Sequence, residues 1–203
     1  TEHLQMRILI VTQYFWPENF RINDLVADLV LRGHKVTILT GVPNYPSGVA
    51  DVGFSENPEE YCEYKGADVV RVPMVVRGKG AVKLVLNYLS FALSASVIGV
   101  YQLRKRKFDS LFVFEPSPIT VGLPALLLRR LKNVPLIFWV LDLWPETLQA
   151  IGVIRSKITL KVVGMLVSFI YKRCDLILGQ SRCFLSHIKK YSGHDRIEYF
   201  PSW

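Results

Sequence analysis

Short apolar runs alternate with longer segments of helical periodicity along this chain. The runs that predict strands are Ile8–Val11, Lys35–Thr40, Val69–Val76, Ser110–Phe114, Leu136–Leu141, Leu176–Leu178 and Ile197–Phe200. Apolar residues between the first two runs recur at helical spacing in Ile22–Arg32, and Gly33 is suited to the left-handed cap that ends such a helix. The alternation predicts an α/β fold, a Rossmann-like doubly wound parallel sheet that binds its ligand at the carboxyl ends of its strands.

The sequence predicts a single domain. Its 203 residues, half of them hydrophobic, can bury one sizeable core. We expect residues 6–203 to form one half of a two-domain enzyme whose other half lies beyond this sequence. Residues 1–5 precede Met6 and are expected to be an addition to the native chain. Residues 41–66 are rich in Pro, Gly, Asn and Glu and predict a long loop, with a short hairpin as an alternative.

Charge and composition narrow the classes of partner. The formal net charge is +8 and the mean hydropathy is +0.25, a pairing that suits an anionic membrane surface and argues against nucleic acid. Three cysteines without a CxxC pair, and no HExxH, argue against a disulfide framework and a zinc site. Neither GxGxxG nor GxxxxGK[ST] occurs, so dehydrogenase and NTPase chemistry lose their main support, and we expect no cofactor.

A bulky loop follows the first strand where a dinucleotide-binding protein has glycines. We expect Tyr14 and Trp16 to form a wall of the ligand cleft. Asn19 and Arg21, near a helix N-terminus, are predicted to hold an oxygen-rich ligand. The alternative is that the aromatic rings cover the sheet edge and Arg21 is solvated.

Carboxylates follow two later strands. Asp142 and Glu146 are the candidate catalytic residues, because a carboxylate at a strand end can orient a sugar hydroxyl or take its proton. Trp144 offers a stacking face for a sugar ring, and Glu115 is a further substrate-binding candidate. The alternative for Asp142 is a plain helix cap ahead of Pro145.

Arg77 and Lys79 lie in a Gly-rich turn before a predicted helix, where cations and the helix dipole favour a phosphate. A solvated basic loop is the alternative.

Two segments predict contact with a membrane. Leu84–Leu103 contains no charged residue and leads into the cations of Arg104–Lys107. Ile158–Arg173 is apolar apart from a narrow polar stripe. We expect Leu84–Lys107 and Ile158–Arg173 to lie on a membrane surface. Deep packing against the sheet is one alternative, and a helix that crosses the bilayer through Leu84–Leu103 is another.

The motifs QYFWPE (Gln13–Glu18), RGHKVTILTG (Arg32–Gly41), NYPSG (Asn44–Gly48) and DLWPE (Asp142–Glu146) together resemble the retaining GT-B glycosyltransferases of family 4. The resemblance extends to bacterial N-acetyl-L-fucosamine transferases of O-antigen or capsule assembly. It implies transfer from a UDP-sugar to a polyprenyl-diphosphate-linked sugar, without a metal, at the cytoplasmic face of the bacterial inner membrane. It also implies that residues 6–203 are the N-terminal, acceptor-side domain and that this half is inactive without a C-terminal, donor-binding domain. A GT-B-like sugar-nucleotide epimerase and a non-catalytic membrane or lipid-binding module are the alternatives.

Overall fold

The computed structural model describes residues 4–150, 152 and 156–202. Residues 1–3, part of the predicted addition to the native chain, and Trp203 lie outside the described residues. The described residues form an eight-stranded sheet of order β3-β4-β2-β1-β5-β6-β7-β8, parallel except for the edge pair β3 and β4. The strands are β1 (Arg7–Val11), β2 (Lys35–Gly41), β3 (Glu63–Tyr64), β4 (Ala67–Val72), β5 (Ser110–Glu115), β6 (Leu136–Val140), β7 (Leu176–Gly179) and β8 (Ile197–Tyr199). The prediction of a Rossmann-like doubly wound sheet is confirmed.

Helices cover the sheet in two layers, and the alternation of side chains along β1 shows why. Ile8 and Ile10 pack in one core with Ile22 of the first helix, whereas Leu9 and Val11 pack on the opposite face in a second core. The helices are α1 (Arg21–Leu31), α2 (Val52–Glu56), α3 (Ala81–Ser94), α4 (Val100–Leu103), α5 (Gly122–Lys132), α6 (Glu146–Ala150), α7 (Lys157–Tyr171) and α8 (Arg182–Ser192). Buried residues of α3, α5, α7 and α8 belong to the second core.

Two predicted boundaries differ from the structure. The third predicted strand, Val69–Val76, is β4 and stops at Val72 because Pro73 has no N–H to donate to a ladder. Residues 41–66 are not one irregular loop: they contain α2, a 3₁₀ turn at Pro58–Tyr61 and β3. The hairpin alternative is right, since β3 pairs antiparallel with β4 across Lys65 and Gly66, which both have positive φ.

The long apolar segment is helical from Ala81 to Leu103, with a π-helical turn at Ala95–Gly99 between α3 and α4. Its length and composition suffice to cross a membrane. It connects β4 to β5, however, and both belong to the same sheet. Phe91, Ala95 and Leu103 are buried against that sheet. The fold therefore contradicts the alternative of a bilayer-crossing helix.

The outer side of this helical layer is apolar and exposed. Helix α5 contacts both α3 and α7, so the three helices form one layer. We call their exposed apolar side chains the apolar face: Val82, Leu86, Leu89, Leu93, Val97, Leu127, Leu131, Ile158, Val162, Met165 and Phe169. Deep packing therefore accounts for one side of these helices and leaves the other side open to solvent.

Candidate functional site

The carboxyl ends of the parallel strands carry the predicted site residues in two groups. The β1 cluster is Gln13, Tyr14, Asn44, Arg77 and Asn87, from the ends of β1, β2 and β4 and from α3. The acidic cluster is Glu115, Asp142, Glu146 and Tyr171, from β5, the residues after β6, and α7. The rings of Tyr88 and Trp144 lie 6.0 Å apart and connect the two clusters.

Amide hydrogen bonds hold the β1 cluster together. Gln13 Nε2 donates to Asn87 Oδ1 at 2.7 Å, and Asn87 Nδ2 donates to the Val75 carbonyl at 2.6 Å. Asn44 Oδ1 accepts from the Arg77 backbone N–H at 3.0 Å. These bonds fix the loop after β4 against the end of β1, because a buried amide that lost its partner would destabilise the fold.

Tyr14 and Arg77 face each other in this cluster. Tyr14 is buried, and its ring stacks on Phe20 at 5.3 Å. Burial raises the pKa of Tyr14, and the nearby Arg77 offsets part of the increase. The Arg77 guanidinium lies 5.5 Å from the centroid of the Tyr45 ring. This is the position from which a cation can reach an anionic ligand.

The basic turn leads directly into a helix N-terminus. Helix α3 begins at Ala81, after Gly80 with φ of 94°. Lys79 is exposed, and Arg77 is partly exposed. Two cations and the first N–H groups of a long helix therefore lie together, which suits a phosphate as the sequence predicts.

A carboxylate that the sequence analysis did not assign, Glu18, fixes the loop after β1. Its Oε1 accepts from the backbone N–H groups of Asn44 at 2.8 Å and Tyr45 at 2.7 Å. Its Oε2 accepts from the Phe15 N–H at 3.2 Å. Burial raises the pKa of Glu18, while these hydrogen bonds lower it. Glu18 joins the QYFWPE and NYPSG segments, so its role is to position them.

Three predicted binding residues near the loop after β1 lie outside both clusters. Trp16 stacks on Tyr61 at 4.9 Å, and its carbonyl accepts from Arg71. Asn19 is exposed. The Arg21 side chain is 53 % exposed and lies 3.7 Å from Asp24. Trp16 therefore packs on the β3 side of the loop, away from the carboxylates.

Glu115 is the most buried charge-bearing group of the acidic cluster. It has no solvent-exposed surface. Burial raises its pKa well above the ordinary value, and the Asp142 carboxylate raises it further. The backbone N–H of Asp142 offsets part of this increase, yet among the described residues no donor has hydrogen-bond geometry to either Glu115 oxygen. Glu115 lies beside Asp142, and its burial leaves it no surface for the substrate contact that the sequence predicts.

Asp142 lies directly beyond β6 and is partly exposed. Its Oδ2 accepts from Trp144 Nε1 at 3.1 Å, and its Oδ1 accepts from Thr147 Oγ1 at 2.6 Å. Both donors are side chains, and α6 begins only at Glu146, so these contacts are not those of a backbone cap. A carboxylate has about four acceptor positions. Asp142 is thus oriented and can still accept from a ligand hydroxyl.

Glu146 belongs to the acidic cluster, and Trp144 lies beside it. Glu146 Oε1 accepts from the Tyr191 hydroxyl at 3.0 Å and lies 4.0 Å from His187 Nδ1. Burial and then the Glu146 hydrogen bond raise the pKa of Tyr191 to about 12. Trp144 is only 7 % exposed and packs in the core, so its ring presents little surface for stacking.

The clusters differ in what they can do chemically. The β1 cluster contains the Arg77 guanidinium, a group that can bind phosphate oxygens. The acidic cluster presents an oriented carboxylate at the surface and a buried carboxyl group with a raised pKa behind it. Such a carboxylate can orient a hydroxyl nucleophile or accept its proton. In the described part of the chain, no three His, Cys, Asp or Glu side chains gather as metal ligands.

Sequence reasoning missed several groups of the site. Gln13 and Asn87 are 74 residues apart, and their pairing has no local pattern. A signal for Asn87 existed, because an amide inside a long uncharged helical segment needs a partner in the fold. Thr147 and Tyr171 gave no signal that separates them from ordinary helical residues.

Several solved structures share the fold of this chain. CalG4, the calicheamicin glycosyltransferase, matches with a TM-score of 0.55 at 15% identity over 98% of this chain and 53% of its own. LpCGTa in complex with UDP matches with 0.59 at 13% identity, over 98% and 53%. HepE of Anabaena in complex with UDP and glucose matches with 0.53 at 14% identity, over 97% and 44%. The fold is that of one Rossmann-like half of a GT-B glycosyltransferase, and the chain spans about half the length of these structures.

The sequence identifies the family. Residues 19–203 match the family described as "Glycosyl transferase 4-like domain", and the chain belongs to it. A search of curated proteins finds no match. The predicted glycosyltransferase family is therefore confirmed, while the fucosamine transferase resemblance stays a prediction.

Proposed function

We propose that this chain is the acceptor-binding half of a membrane-associated, retaining glycosyltransferase. The reaction moves a sugar, in our proposal an N-acetylated amino-deoxy sugar such as L-FucNAc, from a UDP-sugar to a polyprenyl-diphosphate-linked sugar during surface polysaccharide synthesis. It takes place at the cytoplasmic face of the bacterial inner membrane. The donor binds mainly to a second domain, which agrees with the half-length match to solved glycosyltransferases.

The observation that carries this proposal is that the apolar face begins beside the basic turn and lies on helices without acidic residues. Its first residue on α3, Val82, lies three positions after Lys79 of the basic turn. Helices α3, α5 and α7 contain no Asp or Glu. The face thus combines exposed apolar side chains with cations at the helix ends, which is how a helix lies in the interface of an anionic membrane.

Each cluster has a role in this reaction. A polyprenyl chain in the membrane would bring its diphosphate to Arg77, Lys79 and the start of α3. The acceptor sugar would then lie toward Asp142, which orients the attacking hydroxyl or accepts its proton. Glu146 holds the α6 end of the acidic cluster through Tyr191.

Sugar transfer by the full-length protein is the direct test. The assay offers UDP-amino sugars and a short-chain polyprenyl-diphosphate sugar, and NMR of the product reads the anomeric configuration. We expect product with retained configuration from the full-length protein and none from this chain alone. Product from this chain alone, or inverted configuration, would contradict the proposal.

Membrane contact has its own test with a matched control. Leu93 on α3 is 68% exposed, and Leu31 on α1, on the other side of the sheet, is 85% exposed. Leu93→Glu should abolish flotation with anionic vesicles, whereas Leu31→Glu should leave it unchanged. Equal behaviour of the two variants would refute the apolar face as the membrane contact.

A further inference from the structure

A large groove, open to solvent, lies at the opposite end of the strands from the candidate site. Its volume is about 1020 Å³, and it is lined by α5, the C-terminal end of α7 and the residues that lead into β6. That volume matches the size of pockets that hold small-molecule ligands. We call it the arginine groove, because its lining includes Arg129, Arg130 and Arg173.

One of the three arginines is already neutralised. Arg129 Nε and Nη2 donate to Asp175 Oδ2 and Oδ1, both at 2.8 Å. The Arg129 hydrogen bonds hold the pKa of Asp175 below its ordinary value. Asp175 is the acidic residue in the lining, so the groove retains two uncompensated positive charges.

Those two charges lie on different elements that line the same groove. Arg130, on α5, is exposed and has no hydrogen bond or ion pair within the described residues. Arg173, after α7, donates from Nη1 to the Phe169 carbonyl at 2.8 Å, and its guanidinium lies 3.8 Å from the Phe169 ring centroid. Its other N–H groups are left for an anion. Guanidinium groups bind phosphate through paired N–H donors.

Apolar side chains form part of the groove lining and connect it to the apolar face. Leu123, Leu126 and Leu127 line the α5 side, and Phe169 lines the α7 side. Leu127 is 38% exposed and Phe169 is 45% exposed, and both belong to the apolar face defined above. The groove therefore opens on the surface that we assign to the membrane.

We propose that the arginine groove binds one acidic phospholipid, with the phosphate between Arg130 and Arg173 and an acyl chain along Leu123, Leu127 and Phe169. Charge complementarity selects an anionic headgroup, and the leucine and phenylalanine wall selects a chain. This inference rests on the proposed function, because a lipid reaches the groove from a membrane on which the apolar face lies. The bound lipid would anchor the edge of the domain that is farthest from the acceptor site.

Calorimetric titration tests the inference with a soluble probe. Dihexanoyl phosphatidylglycerol, below its micelle concentration, should bind the full chain at one saturable site. Dihexanoyl phosphatidylcholine and inorganic phosphate should each bind about tenfold more weakly, because the first lacks net charge and the second lacks chains. Equal affinity for inorganic phosphate would overturn the lipid assignment.

Variants locate the site. Arg130→Ser with Arg173→Ser should reduce phosphatidylglycerol affinity about tenfold or more, and the two Arg→Lys changes should restore only part of it. The control, Lys35→Ser with Lys65→Asn, removes the same charge from exposed positions outside the groove. Asn suits the positive φ of Lys65. Thermal unfolding verifies that each variant is folded. Unchanged binding in the Arg→Ser variant would refute the groove.

The two proposals fail in different ways. Vesicle binding that depends on Leu93, without saturable binding of the short-chain lipid, would refute the groove and leave the proposed function standing. Saturable, arginine-dependent binding of the short-chain lipid without vesicle binding would support the groove and count against the proposed membrane role.

Discussion

Glu18 and Glu115 are both buried glutamates near the carboxyl ends of the strands, and burial raises the pKa of each. Their surroundings are opposite. Glu18 accepts three backbone N–H groups, whereas within the described residues neither oxygen of Glu115 has a hydrogen bond. Glu18 belongs to the scaffold, because its hydrogen bonds are complete.

The two glutamates show that the polar groups around β1 and those around β5 and β6 have different tasks. A buried carboxyl group without partners destabilises a protein, so its presence beside Asp142 needs a reason other than stability. Around β1 the polar groups hold loops together. Around β5 and β6 the polar groups keep unused acceptor positions, which a ligand can use.

The largest effect on the scaffold side should come from Glu18→Ala. Removal of the carboxylate leaves three backbone N–H groups without their acceptors, and each costs about 1–3 kcal/mol. We expect the free energy of unfolding, measured with urea, to fall by about 3 kcal/mol. Glu60→Ala, at an exposed position, should change it by less than about 0.5 kcal/mol. Similar values for both variants would remove the distinction between Glu18 and a surface glutamate.

On the functional side, Asp142→Asn should lower the turnover of the full-length enzyme about 100-fold, the loss typical of a general base. Its stability should change little, because Asn can still accept from Thr147 or Trp144. Asp24→Asn, at a 61% exposed side chain, is the control. Unchanged turnover in Asp142→Asn would mean that Asp142 only shapes its loop.

The pH dependence of stability tests the burial of Glu115. The pKa of Glu115 is raised in the folded state, so the folded protein holds this proton over a pH range in which the unfolded chain has released it. Stability must therefore fall as pH rises from the ordinary glutamate pKa to the folded one, by at most about 1.4 kcal/mol per pH unit for one proton.

Glu115→Gln removes the contribution of Glu115 to this dependence, while that of Glu18, whose pKa is also raised, remains. The variant should be more stable than the unmodified chain at the alkaline end of the range. Urea unfolding at several pH values gives the slope of stability against pH for the unmodified chain and for Glu115→Gln. Identical slopes would show that Glu115 ionises in the folded state as easily as in the unfolded chain.

The smallest expected effect is that of Thr147→Val. It removes the 2.6 Å hydrogen bond that holds Asp142 Oδ1, and a loss of about 1 kcal/mol corresponds to about a fivefold decrease in turnover. Serine at this position should restore the activity because it keeps the hydroxyl. Full activity in Thr147→Val would mean that Trp144 alone orients Asp142.

The fold was largely predictable because its signals are local. Strands buried on both faces give continuous apolar runs, and Gly33, with φ of 88°, ends α1 as the sequence indicates. The boundary error at β4 arose from reading through Pro73, whose missing N–H ends the ladder. The short elements of residues 41–66 gave weaker signals, since α2 and β3 span only a few residues each.

The site was less predictable because its contacts are distant in sequence. The position of Asp142 follows from the end of an apolar run, and the structure places it there. The roles of Glu18 and Gln13 depend on partners 26 and 74 residues away, which no local pattern reveals. The stacking face predicted for Trp144 is not available, because its ring faces the core instead of open solvent.

The π-helical turn at Ala95–Gly99 determines whether exposed residues before and after it lie in one row along the same side of the long helix. Val82 and Tyr101, 74% and 63% exposed, would be about 5.3 turns apart in an uninterrupted α-helix and thus rotated by about 100°. A π turn takes in one additional residue, which returns the separation to about 5 turns. Arg104, 3.7 Å from the Tyr101 ring, stays in line with the row. Deleting one residue of this turn would rotate the basic end of the helix about a quarter turn out of line with its apolar beginning.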